Sequence, residues 1–555
     1  MSEPQEIQTD VLVVGSGAAG LTAAATAASR GLNVILVEKA PVFGGTTAYS
    51  GGVLWIPNNH MMAQEGVEDS EEAALTYLTG HIGNRVEPAR LKRFVQHAPE
   101  MLREFVEAGY LKVSLFSDFP DYSAETPGGV MGGRSVEPQV FPGSKLGEFQ
   151  DTLRKRQVPT APGGLIGNMM ELRQLAVIRT DPLTALKAWR VFPRWLRSRL
   201  TGERYYGQGG ALVSWLRAAL EKLQVPVWLE TSLESLQQSA GSVTGAVINR
   251  KGETLRVNTH CGVIMASGGF DHDALMRKQY QGDDRGTEYT SGAETNTGDG
   301  IRAGQDSGAA IDLMEDAWWA PTFLMPDGTP QIVIFERGKP GFLVVDQSGR
   351  RFANEALPYN EFVKRMHEAE ATGMRTHPSW FVFDDSYRRR YPVAGLLPGQ
   401  SCDHHVANGF MLRAESLAAL AGQMEADASV LEETIARFNQ MAKLGKDEDF
   451  GRGNTPFDQY TGDPTVSPNP CLAPLTAAPF YAIRLYPGDL GTKGGLSTNE
   501  YAQVLRDDGT VIDGLYAAGN TSASVMGHFY PGAGGTIGPA MTFGYIAARH
   551  AAGNL

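Results

Sequence analysis

The feature that most constrains the fold is a set of three glycines between an apolar strand and an alanine-rich helix. Gly15, Gly17 and Gly20 form the pattern GxGxxG directly after the apolar run 10–15. The first glycine permits a tight turn, the second lets a phosphate approach the backbone, and the third lets helix and strand pack closely. A second apolar run, 34–38, follows the helix, so the segment predicts a βαβ unit in a parallel sheet.

A carboxylate stands at the end of the second predicted strand. Glu38 lies 23 residues after Gly15, and an acid at this position accepts hydrogen bonds from the ribose hydroxyls of a bound dinucleotide. The N-terminus of the preceding helix attracts the pyrophosphate, because its free N–H groups and dipole favour negative charge. These features together indicate a dinucleotide site, although they do not distinguish NAD from FAD.

Further glycine-rich segments favour FAD, because several parts of a chain must meet along so long a cofactor. The last predicted helix, 538–551, would begin near the flavin and stabilise negative charge on the reduced ring. No histidine lies in the 44–52 loop, so we expect the FAD to be bound non-covalently. The predicted cofactor-binding residues are Gly15, Gly17, Ala18, Ala19, Gly20, Glu38, Lys39, Gly44, Gly45, Thr46, Thr47, Ser50, Gly51, Gly52, Ala266, Gly268, Asn296, Asp299, Gly519, Asn520, Gly535 and Ile537.

Length and composition bound the remaining possibilities. A chain of 555 residues is too long for one hydrophobic core, and its net charge of -13 argues against a nucleic-acid partner. We see no signal peptide and no apolar run long enough to span a bilayer, so a cytoplasmic location is expected. Three cysteines fit a reducing compartment.

The cluster 403–405 (Asp-His-His) has no third ligand at a fitting spacing, so we predict no metal site.

The composition of the sequence changes along the chain and indicates two domains. We predict a dinucleotide-binding domain from 1–290 and 484–555, and a catalytic substrate domain from 291–483, where aromatic, proline and turn residues accumulate. The predicted class is α/β, with a Rossmann-type FAD-binding domain and an inserted α+β catalytic domain.

Four short motifs resemble one flavoprotein family. Within the fumarate reductase and 3-ketosteroid dehydrogenase superfamily, the chain is most similar to the 3-ketosteroid Δ1-dehydrogenases, and the similarity extends over nearly its whole length. The motifs are FPDY at 119–122, NEALPY at 354–359, DLGTKGGL at 489–496 and YPGAG at 530–534. The family counterpart of the second motif is NESLPY.

The resemblance implies an FAD-dependent 1,2-dehydrogenation of 3-ketosteroids, and it assigns roles to four residues. Tyr359 is the implied base for the proton beside the ketone, and Tyr122 is the neighbour that passes the proton on. Tyr530 and the N–H of Gly534 would stabilise the enolate oxygen. Flavin N5 would accept the hydride. A free tyrosine, with a pKa of about 10, is a poor base at neutral pH, so Tyr359 needs help.

Three other functions stay open at this point. A related flavoprotein could act elsewhere on the steroid, as a 3-ketosteroid Δ4-(5α)-dehydrogenase does. A fumarate-reductase-like enoate reductase would need cationic residues around a dicarboxylate, whereas the matched motifs supply tyrosines. A flavoprotein that binds a steroid or a membrane without turnover would hold flavin that no ketosteroid reduces. The sequence lacks a second dinucleotide fingerprint, so the expected electron acceptor is a quinone or similar compound, and the oligomeric state stays open.

The stretch 176–206 is basic in an otherwise acidic chain. Seven arginines and lysines stand there against two carboxylates, a local charge of +5. Apolar residues recur beside them at helical spacing, and Pro193 would interrupt a single helix. One interpretation is peripheral contact with a membrane. The other is a helical pair that covers the FAD-binding domain or contributes to a dimer.

Overall fold

Two sheets dominate the protein, a mixed one and an antiparallel one. The computed structural model describes residues 5–155, 165–176, 183, 186, 189–282 and 286–555. Within these residues the first sheet has eight strands: Gln5–Val14, Val34–Val37, Val227–Trp228, Thr231–Ser239, Ser242–Arg250, Glu253–Met265, Gln503–Leu505 and Val511–Ala517. The second has six: Ala317–Leu324, Pro330–Ile332, Phe342–Val345, Ser379–Asp384, Met411–Ala414 and Phe480–Thr492.

The first sheet unites the two ends of the chain. Gln5–Val14 pairs in parallel with Val34–Val37 on one side and with Glu253–Met265 on the other. Val511–Ala517 lies beyond Glu253–Met265, again in parallel. The apolar run at 11–14 is fully buried, as a strand covered on both faces requires. The predicted βαβ unit is therefore confirmed, with its helix at Ala18–Ser29.

The second sheet is built wholly from the middle of the chain. Its longest strand, Phe480–Thr492, pairs with Ala317–Leu324, Ser379–Asp384 and Met411–Ala414. This strand runs across the predicted domain boundary between 483 and 484, so sheet pairing extends the inserted segment to Thr492. The division into domains at 1–290, 291–483 and 484–555 otherwise stays a prediction.

Helices cover both sheets. The sequence predicts helical structure over 70–109, and the structure has two helices there, Glu71–Ile82 and Pro88–Glu107, because a capping serine starts the first and Pro88 starts the second. Other helices are His60–Gln64, Met169–Ala176, Val191–Thr201, Gln208–Lys222, Ala274–Gln281, Asp299–Asp306 and Ile537–Ala551. Those of the inserted segment are Tyr359–Ala371, Asp385–Arg390, Asp403–Ala407, Leu417–Met424, Ala428–Leu444 and Pro456–Thr461.

The helices at Ala18–Ser29 and Ile537–Ala551 pack with almost no side chain between them. A Cβ atom added at Gly544 would lie 2.4 Å from the carbonyl oxygen of Ala19. The first helix is alanine-rich and buried over nearly its whole length. This close packing places the middle of the last helix beside the glycine turn at 15–20.

The third glycine of the turn supports a direct test of the fold. A Cβ at Gly20 would lie 1.9 Å from the carbonyl oxygen of Gly15, so the backbone must move to accept any side chain. Overpacking of this kind typically costs about 1–3 kcal/mol. We expect Gly20→Val to lower the thermal unfolding temperature and the soluble yield. Gly80→Val is the surface control, because that glycine is exposed in the helix Glu71–Ile82 and a Cβ there meets nothing within 4 Å. Equal melting of the two variants would contradict the close-packing argument.

Candidate active site

The glycine turn leaves space where a pyrophosphate would lie. Gly15 has a φ of +109°, and a Cβ there would lie 2.2 Å from the carbonyl oxygen of Ala266. A Cβ at Gly17, in contrast, would meet only the hydroxyl of Thr47, at 3.7 Å. No side chain caps the helix N-terminus at Gly17, although the N–H of Ala18 donates to Thr47 Oγ1 at 3.1 Å. The turn therefore presents backbone N–H groups to open space, which suits a phosphate.

Glu38 lies at the end of its strand with its carboxylate turned toward the glycine turn. Its Oε2 accepts hydrogen bonds from the backbone N–H of Ser16 at 3.1 Å and from Ser16 Oγ at 2.6 Å. The neighbouring Lys39 contacts Asp299 and Thr297, each at 2.6 Å from its Nζ. These contacts bring three of the predicted cofactor residues to one edge of the sheet.

A second group of predicted residues follows the turn. Thr46 Oγ1 accepts from the Nδ2 of Asn296 at 2.9 Å, and a Cβ at Gly268 would lie 2.6 Å from Asn296 Oδ1. Ser50 Oγ donates to the carbonyl of Thr47 and accepts from the N–H of Gly52. The loops at 44–52 and 266–299 thus meet on one side of the glycine turn.

The start of the last helix closes the other side. A cavity there is lined by eleven residues: Arg90, Trp318, Gly519, Asn520, Ser522, Ser524, Val525, Thr536, Pro539, Ala540 and Phe543. The side-chain oxygen of Asn520 accepts from Trp318 Nε1 at 3.1 Å. The predicted residues Gly535 and Ile537 flank Thr536. The open turn suits the phosphates of a long dinucleotide, and the helix N-terminus at this cavity suits a flavin at its end.

Three tyrosines from different parts of the chain meet beside this cavity. Tyr122 lies in the loop between the strands Val113–Leu115 and Ser135–Pro138, Tyr359 is the first residue of its helix, and Tyr530 lies just before the last helix. Their ring centroids are 5.2–5.7 Å apart. Each ring is buried, with about a twentieth of its surface exposed.

Burial governs the protonation of these tyrosines. Desolvation, followed by the neighbouring hydroxyls of Tyr122 and Tyr530, holds the pKa of Tyr359 well above its ordinary value. Desolvation likewise raises the pKa of Tyr122 and of Tyr530, while their interaction with Tyr359 lowers each somewhat. Thr536 Oγ1 donates to the Tyr530 hydroxyl at 3.1 Å. The hydroxyls form a chain in which all three members are protonated at neutral pH.

Gly534 lies beside Tyr530 with an N–H that is available to a ligand. Its carbonyl accepts from the N–H of Trp55 at 3.1 Å and from the N–H of Gly538 at 2.9 Å. Within the described part of the chain, the N–H of Gly534 itself has no acceptor. Its φ is +91°, and a Cβ would lie 2.5 Å from the backbone of Trp55, so glycine is required at this position.

Asp121, the acidic residue of the FPDY motif, has a structural role that the sequence did not reveal. The carboxylate of Asp121 accepts from Trp55 Nε1 and from Arg134 Nη1, each at 2.8 Å. Burial raises the pKa of Asp121 to about 6. These bonds fix the loop that carries Tyr122.

Sequence reasoning also missed four side chains that shape the site. Phe457 packs edge-on against Tyr122 at 4.7 Å, and Trp318 packs in the same way against Tyr530 at 5.1 Å. Thr536 contacts the Tyr530 hydroxyl, and Arg337 acts electrostatically on Tyr122. None of the four belongs to one of the matched motifs, and only their placement in the fold identifies them.

Comparisons with known proteins agree with this geometry. The family model described as "FAD binding domain" matches residues 10–537. The 3-oxosteroid 1-dehydrogenase of Mycobacterium tuberculosis is 45% identical over 98% of each chain. That of Mycolicibacterium smegmatis is 43% identical over 97% of this chain and 96% of the relative.

This chain belongs to the 3-oxosteroid 1-dehydrogenase family. The crystal structure of 3-ketosteroid Δ1-dehydrogenase from Sterolibacterium denitrificans, in complex with 1,4-androstadiene-3,17-dione, superimposes with a TM-score of 0.92. It is 40% identical and covers 99% of this chain and 100% of its own. The resemblance deduced from four motifs is thereby confirmed, together with the α/β fold and FAD as the cofactor.

Two further expectations concern metals and membranes. Within the described residues, no group of three or more His, Cys, Asp or Glu side chains is arranged to hold a metal ion. No helix in the same residues is both long and apolar enough to cross a bilayer.

The second glycine of the turn gives a test of cofactor binding that leaves the fold in place. A valine at position 17 would project into the space kept for the pyrophosphate and would touch little protein. We expect Gly17→Val to give a folded but colourless protein, measured as the flavin-to-protein absorbance ratio together with circular dichroism. A yellow variant with stoichiometric flavin would refute the assignment of this turn.

Proposed function

We propose that this protein catalyses the FAD-dependent 1,2-dehydrogenation of 3-ketosteroids, introducing the double bond between C1 and C2. The observation that supports this most strongly is the meeting of three buried tyrosines with the free N–H of Gly534 beside the flavin cavity. Removal of two hydrogens next to a ketone needs a base, a group that polarises the carbonyl and a hydride acceptor. Bound FAD supplies the hydride acceptor, flavin N5.

Tyr359 is the base in this proposal. It stands between the other two tyrosines and interacts with both hydroxyls. Because burial keeps it protonated, it accepts the C2 proton only as its own proton moves to Tyr122. Tyr122, which is protonated as well, acts as the relay: it takes that proton as its own proton leaves to solvent.

Tyr530 and Gly534 stabilise the enolate oxygen. The Tyr530 hydroxyl accepts a hydrogen bond from Thr536, so the proton of Tyr530 points away from Thr536. The N–H of Gly534 provides the second donor. Two donors aimed at a carbonyl oxygen in a dry site form the usual arrangement for stabilising an oxyanion.

The alternatives receive less support. Relatives at 43% and 45% identity are named as 3-oxosteroid 1-dehydrogenases, which favours the C1–C2 bond over a Δ4-(5α)-dehydrogenation. A dicarboxylate reductase would need cationic groups at its site, whereas three tyrosines meet at this one. We propose a quinone or similar compound as the electron acceptor, because the sequence carries no second dinucleotide fingerprint.

Substrate turnover separates the proposed function from a binding protein. Anaerobic mixing with 4-androstene-3,17-dione should bleach the flavin absorbance, and mass analysis should find a product lighter by two hydrogens. Flavin that binds but stays oxidised with every ketosteroid tested would contradict the proposal.

Single substitutions test the separate roles proposed for the three tyrosines. Tyr359→Phe should still bind steroid but lose useful flavin reduction, since the base is gone while the ring remains. Tyr530→Phe should slow flavin reduction by about a hundredfold or more, the usual cost of losing one oxyanion donor. Tyr122→Phe should slow it less than Tyr359→Phe does, because solvent partly replaces a relay. Single-turnover flavin reduction measures each rate, and Tyr387→Phe, a buried tyrosine of the inserted segment, is the control.

We further propose that the segment 176–206 docks on an anionic membrane surface. Residues 177–182, 184–185 and 187–188 lie outside the described residues. Among the described residues, the exposed fractions of Leu186, Trp189 and Leu200 are 66%, 59% and 76%. A helical pair packed on the FAD-binding domain would bury these side chains instead. Pro193 falls in the first turn of Val191–Thr201, where a helix tolerates proline.

The charges beside these apolar side chains favour lipid over a second protein chain. Arg190, Arg197 and Arg199 are exposed around the apolar residues, and basic residues near an anionic surface contribute about 1 kcal/mol each. Arg194 differs from them, because it is paired with Glu171 at 2.5 Å. A membrane is thus proposed as a further partner beside the steroid and the electron acceptor.

Vesicle binding tests the membrane proposal. Exchange of Arg190, Arg197 and Arg199 for glutamate should abolish co-sedimentation with phosphatidylglycerol vesicles, and salt should weaken binding of the unmodified protein. Exchange of Leu275 and Leu444 for serine is the control, because both are at least 75% exposed elsewhere on the surface. If the unmodified protein ignores anionic vesicles and forms dimers that the glutamate variant does not, the segment is a protein interface instead.

A further inference from the structure

Arg90 is a buried cation at the cavity beside the start of the last helix. It stands in the first turn of the helix Pro88–Glu107, outside every glycine-rich segment, and its side chain is 8% exposed. It lines the cavity together with Thr536 and Pro539, which begin the last helix. This is the cavity that suits a flavin.

Few protein groups hold the guanidinium of Arg90. Its Nη2 donates to the carbonyl of Ala523 at 2.9 Å, and its Cζ lies 5.7 Å from the centre of the Phe543 ring. Its Nε is buried and has no acceptor among the residues that the structure describes. An arginine carries five N–H donors, so the bond to Ala523 leaves most of its hydrogen-bonding capacity for another partner.

The charge of Arg90 also lacks a direct counter-ion within the described ranges. Burial lowers the pKa of Arg90 to about 10, so the group is still charged at neutral pH, and the carboxylates that oppose this effect, Asp312 and Glu87, act only through their electrostatic field. Asp312 is already bound by Arg85 through hydrogen bonds of 2.7 and 2.6 Å. A cation buried without a partner is costly, so its place in a cavity favours a ligand that brings negative charge.

Two other buried arginines of the FAD-binding portion show the usual arrangement. Arg134 donates to Asp121 at 2.8 Å, and Arg277 donates to Asp489 at 2.7 Å. Neither of them lines the cavity at the last helix. Arg90 therefore differs from both in its partners and in the space that it faces.

The N-terminus of the last helix presents positive charge to the same cavity. The helix Ile537–Ala551 is 15 residues long, and no side chain caps its first turn. Its free N–H groups and its dipole favour an anion there. Reduction of a flavin by two electrons and one proton leaves a negative charge on the ring, and charges placed near the ring tune this step.

We propose that Arg90 is a cofactor-binding residue, which contacts the flavin of FAD at this cavity and stabilises the negative charge that the ring carries after reduction. Arg90 favours the reduced form over the oxidised form, because only the reduced ring is an anion. No bond to Arg90 forms or breaks in this role. The inference rests on the presence of FAD and does not depend on which compound reduces it.

The experiment measures the midpoint potential of the bound flavin by equilibration with reference dyes, without steroid, in the unmodified holoenzyme and in two variants. Arg90→Gln keeps an N–H donor for the Ala523 carbonyl but removes the charge, whereas Arg90→Lys keeps the charge. We expect Arg90→Gln to weaken the binding of reduced relative to oxidised flavin about tenfold, which makes the potential of this two-electron couple about 30 mV more negative. Arg90→Lys should keep the potential of the unmodified protein.

Arg388→Gln is the matched control. Arg388 is 3% exposed, donates to the carbonyls of Leu397 and Gln400, and likewise has an Nε without an acceptor in the described part of the chain. It belongs to the inserted segment and does not line the cavity at the last helix. Its exchange should lower the thermal unfolding temperature by an amount similar to Arg90→Gln and leave the potential unchanged.

The proposal is wrong if Arg90→Gln keeps the potential of the unmodified protein, or if Arg90→Gln and Arg90→Lys lower it equally, since the charge would then have no effect. If Arg90→Gln does not retain FAD, the flavin content of Arg90→Lys decides. A stoichiometric content supports the role of the charge, and a colourless Arg90→Lys protein contradicts it. None of these measurements uses a steroid, so a failure of 4-androstene-3,17-dione to bleach the flavin would refute the proposed function and leave the role of Arg90 standing.

Discussion

Close backbone contact at the glycine turn is the constraint on which the rest of the structure depends. Gly15 lies so near Ala266 that no side chain fits between them, and Gly20 lies equally close to Gly15. This contact sets the first helix directly on the sheet, and the last helix packs on the first through Gly544. Because Tyr530 and Gly534 directly precede the last helix, a steric requirement at the N-terminus determines where groups more than 500 residues later are placed.

The burial of the tyrosine cluster opposes the proton transfer that is proposed for it. Burial excludes water from the reaction and strengthens each hydrogen bond, yet it also raises the pKa of every hydroxyl that must lose a proton. The structure partly offsets this effect, because the interaction with the Tyr359 hydroxyl lowers the pKa of Tyr122 and of Tyr530.

Local rules predict the cofactor half of the protein more directly than the catalytic half. Glycine spacing has direct steric causes, so the turn, the βαβ unit and the loops near Asn296 followed from local rules. The tyrosines were found only through a family resemblance, because nothing near Tyr122 or Tyr359 in the sequence distinguishes them from the other tyrosines. Arg337 and Thr536 were missed, since their importance arises from contacts that the fold creates. The predicted boundary at 483 falls inside the strand Phe480–Thr492 because the second half of that strand, with two glycines and a proline, has the composition of a loop.

The cluster is assembled from both sheets of the protein. Tyr359 belongs to the inserted segment, whereas Tyr122, Tyr530 and Gly534 belong to the parts of the chain that surround the first sheet. Neither portion alone holds all three tyrosines, and a displacement of about 1 Å between the portions would open the contact between Tyr359 and Tyr122. The cluster therefore exists only while the two portions stay in register with each other.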